Sequence, residues 1–555
     1  MKQWWQKEVV YQIYPKSFYD SNHDGIGDVK GIISKLDYFS KLGVSMLWLC
    51  PIYQSPMDDN GYDISDYYDI HPDFGTMEDV EELIEKAKVK GIGIMMDLVV
   101  NHTSDEHAWF QDALAHEDSP YRNYYIFKDG KNGQPPTNWR SVFGGSVWEL
   151  VPGSDNTYYF HAFSKKQPCL NWENSNMRQE IYQMINWWLE KGIAGFRVDA
   201  INFIKKNQAY PDGVADGQDG LSSCFAFCRN QPGIEEFYKE LKEETFAKHN
   251  CVTVAEAYGV PYAQLGPYID EQDGTFSLMF DFNYSNFDIG DQEEWFVRKN
   301  WTVKQYRDML FHSQQEINRL GWCATFMENH DQPRSINKLI PDKTQHTVYS
   351  KTMLGCLFFF VKGVPFIYQG QELGMDNAQR SSIEEFDDCS SISQYERALE
   401  EGFSEAEALA FVNMRSRDHS RTPMQWSNQA YAGFSDVTPW LALNDHYHTI
   451  NVAQQQQDPQ SVLAFYQKMI ELRQKSEYSD IITYGDFEPI DSSEVIIAYR
   501  RVYEGVSVDI YCNFANHTNI IATDKCHVIL NNYENITHKD KEMIELMPYQ
   551  CLVLS

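Results

Sequence analysis

Three carboxylates in this chain close short apolar stretches. Asp199 ends Gly192-Ile-Ala-Gly-Phe-Arg-Val-Asp199, Glu256 ends Val252-Thr-Val-Ala-Glu256, and Asp331 ends Glu328-Asn-His-Asp331. Two have a basic neighbour: Arg197 lies two residues before Asp199, and His330 adjoins Asp331. Residues two apart on a strand share a face, so Arg197 and Asp199 point the same way. A guanidinium beside Asp199 predicts that this carboxylate stays ionised. Such a carboxylate can attack an anomeric carbon. A second carboxyl, Glu256, tuned to hold its proton, can protonate the departing oxygen. Retaining cleavage of a glycosidic bond needs such a pair about 5 Å apart. A lone Asp at a strand end is more often a cap or an ion-pair partner. Three acids, an arginine and two histidines (His102 after Asp97-Leu-Val-Val-Asn101, and His330) at successive strand ends argue for chemistry instead.

Something must bring these strand ends together. Eight strand-like runs recur: Val9 to Tyr14, Val44 to Leu49, Ile92 to Val99, Ile193 to Val198, Val252 to Ala255, Leu278 to Phe282, Ala324 to Met327 and Val364 to Tyr368. Helical patterns follow most of them, among them Met77 to Lys90, Arg178 to Lys191 and Ile234 to Lys248. Repeated strand-then-helix units predict an α/β fold, a (β/α)₈ TIM barrel whose strand ends face one mouth. The barrel is expected over residues 1–102 and 171–477. A small domain, 103–170, rich in Gly, Pro, Asn, Tyr and Trp, is inserted after strand three. A second insertion, about 374–424, holds a charged helical stretch from Ser391 to Val412. From 478 to 555 the pattern predicts a C-terminal antiparallel β-sandwich domain.

Composition removes several function classes. With 47 basic and 80 acidic residues the formal net charge is −33, which argues against nucleic acid or an anionic membrane as partner. The run Met353 to Val361, ended by Lys362, is too short to span a bilayer. The start of the chain lacks the apolar stretch of a signal peptide. The eleven cysteines show no paired zinc spacing, so free thiols in a reducing cytosol are expected. These features point to a cytoplasmic protein; a monomer or weak homo-oligomer is the expectation, and no feature of the sequence fixes the oligomeric state.

The motifs along the chain resemble those of a glycoside hydrolase of the α-amylase superfamily, in its oligo-1,6-glucosidase, dextran glucosidase and α-glucosidase branch. The resemblance runs through Trp4-Trp5, Val10-Tyr-Gln-Ile-Tyr-Pro15, Asp20 to Asp28, Asp59-Asn-Gly-Tyr62-Asp-Ile-Ser-Asp66 and Asp97 to His102. It continues with Gln167-Pro-Cys-Leu-Asn-Trp172, Gly195 to Asp199, Ala255-Glu256 and Asn329-His-Asp-Gln-Pro-Arg334. It ends with Tyr368-Gln-Gly-Gln-Glu372 and Arg417 to Trp426.

The resemblance implies Asp199 as nucleophile, Glu256 as general acid/base and Asp331 as the acid that binds sugar hydroxyls and stabilises the transition state. His102 and His330 would bond sugar hydroxyls, and Arg197 would orient Asp199. Asp59, Tyr62 and Arg417 would close the pocket around the non-reducing glucose and make the enzyme exo-acting. The substrate would be a small oligosaccharide, with no organic cofactor. The run Asp20-Ser-Asn22-His-Asp24-Gly-Ile26-Gly-Asp28 alternates oxygen donors like the first part of a calcium loop. In the family this loop holds a structural Ca²⁺; without metal it would be a polar turn.

Specificity is written more faintly. Ala200 follows the nucleophile; in this branch α-1,6-preferring members tend to carry Val there, so Ala200 tilts the expectation toward α-1,4 or broad activity. Sucrose isomerases carry an Arg-rich loop where this chain has Phe287-Asp-Ile-Gly-Asp291. A trehalose-6-phosphate hydrolase would need a basic phosphate site, for which Lys165-Lys166 is the candidate. A non-catalytic amylase-like binding protein is the alternative of another class.

Overall fold

The computed structural model describes residues 2–540 and 542–555. A closed barrel of eight parallel strands lies at its centre. They are β1 (Val10–Ile13), β2 (Met46–Leu49), β3 (Gly93–Val99), β4 (Gly195–Asp199), β5 (Val252–Glu256), β6 (Leu278–Phe280), β7 (Cys323–Thr325) and β8 (Val364–Tyr368). Each overlaps one of the eight expected runs. Strand β8 closes the ring on β1, with Val10 opposite Phe366. These strands are buried on both faces, which explains apolar runs without alternation. Val10, Trp48, Val254, Phe280 and Phe366 fill the barrel interior.

Helices cover the outside. On α1 (Met77–Val89) the buried Val80, Leu83, Ile84 and Ala87 make one inward stripe, the spacing of an amphipathic helix. Thr76 and Asp79 cap its start reciprocally, a capping box. Helices α2 (Ser175–Glu190) and α3 (Ile234–Glu244) follow where expected. The apolar run near Met353 belongs to α4 (Val348–Phe359), buried nearly all round. One side of it meets the C-terminal domain, where the Tyr499 hydroxyl donates to the Leu357 carbonyl at 2.9 Å. Among the described residues no helix is long and apolar enough to cross a membrane, and all eleven cysteines are free.

Close approach of two strands demands one residue type. A Cβ on Gly195 would lie 1.7 Å from the Val252 carbonyl oxygen, so only glycine lets β4 start against β5. The register then sets Arg197 opposite Asp97 on β3 and Val254 on β5. With alternation along each strand, Asp199 and Glu256 both point into the barrel mouth one layer above.

The segment after β3 contains a short helix, Ala108–Ala115, and a three-stranded antiparallel sheet of Phe127–Asp129, Thr157–Phe160 and Trp148–Leu150. Beyond β8 the expected single stretch from Ser391 to Val412 is instead two helices, α5 (Cys389–Glu400) and α6 (Glu405–Arg415). Gly402, at φ +94°, turns the chain between them, and Ser404 with Glu407 caps the second. The C-terminal region begins with a short helix, Ser479–Tyr484, before any strand. A five-stranded and a three-stranded antiparallel sheet follow. The consecutive apolar residues Ile496 to Tyr499 lie in the larger sheet, which is covered on both sides. Ile496 and Ala498 pack toward the smaller sheet, and Ile497 and Tyr499 join the main core.

Candidate active site

Arg197, buried at the base of the barrel mouth, organises the acids. Its Nη1 donates to Asp97 Oδ1 at 2.6 Å and to Asp199 Oδ1 at 2.7 Å. Its Nη2 pairs with Glu256 Oε1 at 2.5 Å. The backbone N–H of Ala200 donates to the other Glu256 oxygen at 2.9 Å. Asp97 also accepts from the Trp48 indole and the Tyr62 hydroxyl. One guanidinium thus serves three buried carboxylates. The expectation that Arg197 keeps Asp199 ionised needs correction on this point. Burial pushes the Asp199 carboxyl well above its ordinary value; Arg197 opposes this, while Glu256 and Asp97 add to it. Burial likewise pushes Asp97 up to about 6 against the pull of Arg197.

Asp331 has the opposite surroundings. Arg417 Nη1 and Arg421 Nη2 reach its Oδ1 at 3.2 and 3.1 Å, and His330 Nε2 lies 3.1 Å from its Oδ2. Burial works against its ionisation, but His330, Arg417 and Arg421 outweigh that and hold it well below the usual carboxylate range. His330 is neutral, pushed down to about 3 by burial. Gln12 Nε2 lies 2.8 Å from its Nδ1, which leaves the proton on Nε2, facing Asp331 and the Tyr62 hydroxyl at 2.6 Å. The Tyr62 and His330 rings stack at 5.3 Å.

The loop after β2 supplies Asp59 and Tyr62. Asp59 Oδ1 meets Arg417 Nη2 at 3.1 Å, and Gln167 Nε2 donates to its Oδ2 at 3.2 Å. Arg417 also pairs with Asp388 Oδ1 at 2.6 Å. His102 is fixed by two contacts: Nε2 lies 3.0 Å from the Tyr62 carbonyl oxygen, and Nδ1 lies 3.1 Å from the Asn101 amide nitrogen. Burial keeps it neutral, down to about 3.

Asp59, Tyr62, His102, Asp199, Glu256, Asp331 and Arg417 all line one cavity of about 150 Å³, a volume that suits about one six-membered ring. Arg197 and His330 are not among its lining side chains; they stand behind the acids and orient them. Phe143, Phe163 and Phe203 form an apolar wall, and Arg229, Tyr258, Glu293, Trp295, Gln332 and Arg415 line the remainder. Lys165 lines a separate cavity that shares only Phe143 and Phe163 with this one.

Sequence reasoning missed Asp388 and Arg421, which hold Arg417 and Asp331. Arg421 lies inside the Arg417 to Trp426 motif, so its signal was present. Asp388 lies in the insertion after β8, where no pattern pointed to it. Arg229, Glu293 and Arg415 sit on loops or helix ends whose placement depends on the folded insertions.

The loop Asp20 to Asp28 lies elsewhere. Asp20 accepts from the backbone N–H groups of Asn22, His23 and Gly25 and from the Ser435 hydroxyl. Asp28 accepts from Ser21 and from Gly31 N, capping the next helix. Asp24 Oδ1 accepts from Ile26 N, and Asn22 Nδ2 donates to Asp24 Oδ2. Among the described residues no three His, Cys, Asp or Glu side chains group so as to hold a metal ion. The five donors foreseen here are all oxygens, the Ile26 carbonyl included, which is the chemistry a hard cation takes.

Known proteins resemble this chain over its full length. The chain is 41% identical over 559 residues to an oligo-1,6-glucosidase of Parageobacillus thermoglucosidasius, covering 99% of this chain and 98% of that one. A crystal structure of trehalose-6-phosphate hydrolase from Bacillus licheniformis superposes with a TM-score of 0.91 at 39% identity, covering 100% of this chain and 99% of that one. A variant of isomaltulose synthase from Erwinia rhapontici NX5, in complex with D-glucose, reaches 0.95 at 36%, with the same coverage. Residues 12–485 match the family model for the α-amylase catalytic domain. With that match and a full-length relative at 41% identity, this chain belongs to the α-amylase family.

Proposed function

We propose that the protein is a retaining, exo-acting α-glucosidase. It releases terminal non-reducing α-D-glucose from short α-1,4- and/or α-1,6-linked oligosaccharides of the maltose, isomaltose and panose type. One observation carries this reading: Asp199 and Glu256 bond to the two terminal nitrogens of a single guanidinium at the wall of a one-ring cavity. That closeness suits the roughly 5 Å separation of a retaining pair better than the wider gap of an inverting one.

Asp199 attacks the anomeric carbon and forms a β-glucosyl ester while Glu256 gives its proton to the departing oxygen. Water, deprotonated by Glu256, then displaces Asp199 and frees glucose. Three acids share one arginine, so the cluster tends to keep a proton; the first step needs that proton on Glu256 and Asp199 ionised. Asp331, kept ionised, stabilises the positive charge that develops on the sugar. Asp59 and Arg417 bind the hydroxyls of the terminal glucose.

The trehalose-6-phosphate reading asks for a cation free to meet phosphate. Both arginines in the remaining cavity wall are already paired: Arg229 with Glu293 at 2.9 Å, and Arg415 with Asp288 at 3.0 Å. We also propose that Asp20, Asn22, Asp24, the Ile26 carbonyl and Asp28 hold a Ca²⁺ that braces the loop after β1, away from the chemistry.

Glucose release from maltose, isomaltose, sucrose, panose, trehalose and trehalose-6-phosphate tests the reading. Activity on the unphosphorylated α-glucosides is expected, with α-glucose as the first anomer seen by NMR. Asp199→Asn should lower it by about 10⁴-fold or more. Strong preference for the phosphorylated sugar would move the assignment to trehalose-6-phosphate hydrolase. Equal inactivity of parent and variant on every α-glucoside would leave a non-catalytic binding protein.

A further inference from the structure

Arg229 and Glu293 come from different loops, one after β4 and one after β6, and both line the cavity that holds Glu256. Arg229 Nη2 donates to Glu293 Oε1 at 2.9 Å, and the two side chains are 13% and 30% exposed. The pair is therefore partly withdrawn from water, where a geometry of this kind is screened less than at an open surface.

Each partner is held in place. The Arg229 guanidinium lies 3.3 Å from the centre of the Phe225 ring and 5.8 Å from that of Tyr258, within cation–π range. Tyr258 in turn stacks on Phe282 at 3.8 Å. Glu293 adopts φ +63°, a left-handed conformation that costs a non-glycine residue about 1–3 kcal/mol and persists only when neighbours enforce it. Gln394 on α5 enforces it here: its side chain donates to the Glu293 carbonyl and accepts from Trp295 N–H. Glu293 is thus strained into place beside Arg229.

Resting on the α-glucosidase reading, we propose that the Arg229–Glu293 pair is a bar across the leaving-group side of the cavity and determines chain length. The terminal glucose takes the one-ring cavity, so the first unit of the leaving group lies against the bar and a second must displace it. The preferred substrates are therefore disaccharides, and each further unit costs catalytic efficiency.

The wild-type protein gives the first test. kcat/KM should fall from maltose to maltotriose, or from isomaltose to isomaltotriose, whichever series it cleaves. Equal or rising values along the series would overturn the proposal. In Arg229→Ala and Glu293→Gln the trisaccharide-to-disaccharide ratio of kcat/KM should rise by about tenfold. The charge-exchanged double variant, Arg229→Glu with Glu293→Arg, should bring the ratio back toward wild type. An unchanged ratio in both single variants would sink the bar while leaving the α-glucosidase assignment standing. Loss of cleavage of every α-glucoside in the wild type would instead sink that assignment, and the proposal with it.

Discussion

Ala200 donates its backbone N–H to Glu256 Oε2 at 2.9 Å from a left-handed conformation, φ +40°. The residue after Asp199 therefore positions the neighbouring acid through its backbone while its methyl group faces the cavity. A β-branched side chain is poorly tolerated at positive φ. Ala200→Val should cost about 1–3 kcal/mol of stability and narrow the space beside the scissile bond. A lower Tm is expected, with a larger loss of kcat/KM on α-1,4 than on α-1,6 disaccharides. Equal losses on both linkages would show that this methyl does not read the linkage.

Asp97 makes the pH dependence of the site testable. Its carboxyl is pushed up to about 6, and that of Asp199 also lies well above the ordinary value. The folded chain thus holds protons that the unfolded chain releases near pH 4. Stability contributed by Asp97 is present at low pH and declines as pH rises through about 6. Nucleophilic attack needs Asp199 ionised, so the acid limb of kcat/KM should lie above the range of an ordinary carboxylate. Asp97→Asn removes a negative neighbour, which should ease ionisation of Asp199 and move that limb to lower pH while total activity drops. A limb that stays put or moves up in the pH profile would refute the coupling.

The barrel was legible because its physics is local. Eight apolar runs, most of them followed by a helical pattern such as the stripe of Val80, Leu83, Ile84 and Ala87, leave little other way to bury both strand faces. The acids were legible because Asp199, Glu256 and Asp331 lie at or just beyond strand ends, where topology alone brings them together. Three things were not. Gly402 splits an apparently continuous helix because the Gly402 and Phe403 N–H groups turn back onto the Leu399 and Ala398 carbonyls, a stop that helical periodicity does not mark. The protonation of Asp199 depends first on burial, then on the balance of Arg197 against Glu256 and Asp97; burial and the two distant acids are hidden by sequence separation. Asp388 reaches Arg417 only once the insertion after β8 has folded back over the mouth.

Asp388 performs two tasks that substitution can separate. It caps α5 by accepting from Ser390 N and Ser391 N, and it holds Arg417 at 2.6 Å. Asparagine caps a helix about as well as aspartate but gives Arg417 no negative partner. Asp388→Asn should therefore keep Tm within a few degrees while raising KM by about tenfold, roughly 1.4 kcal/mol of lost sugar positioning. Asp388→Ala should raise KM and also lower Tm, since the cap is lost as well, at about 1 kcal/mol. A KM for the Asn variant equal to wild type would mean that Asp59 and Asp331 alone suffice to hold Arg417.

The loop from Asp20 to Asp28 offers a test independent of catalysis. If Ca²⁺ binds only the folded chain, it stabilises by mass action, about 2.7 kcal/mol at one hundred times the dissociation constant. Chelation should then lower Tm by several degrees, Ca²⁺ should restore it, and Mg²⁺ should do so poorly because it demands a tighter octahedron. Asp24→Asn removes a carboxylate that caps nothing beyond its own loop, so the variant should keep its chelated Tm and lose most of the Ca²⁺-dependent gain. Scanning calorimetry with and without chelator reads all four states. A Tm indifferent to chelator would mean that these carboxylates are satisfied by the loop's own N–H groups, the Ser21 and Ser435 hydroxyls and the Asn22 amide, and that the loop stands as a polar turn.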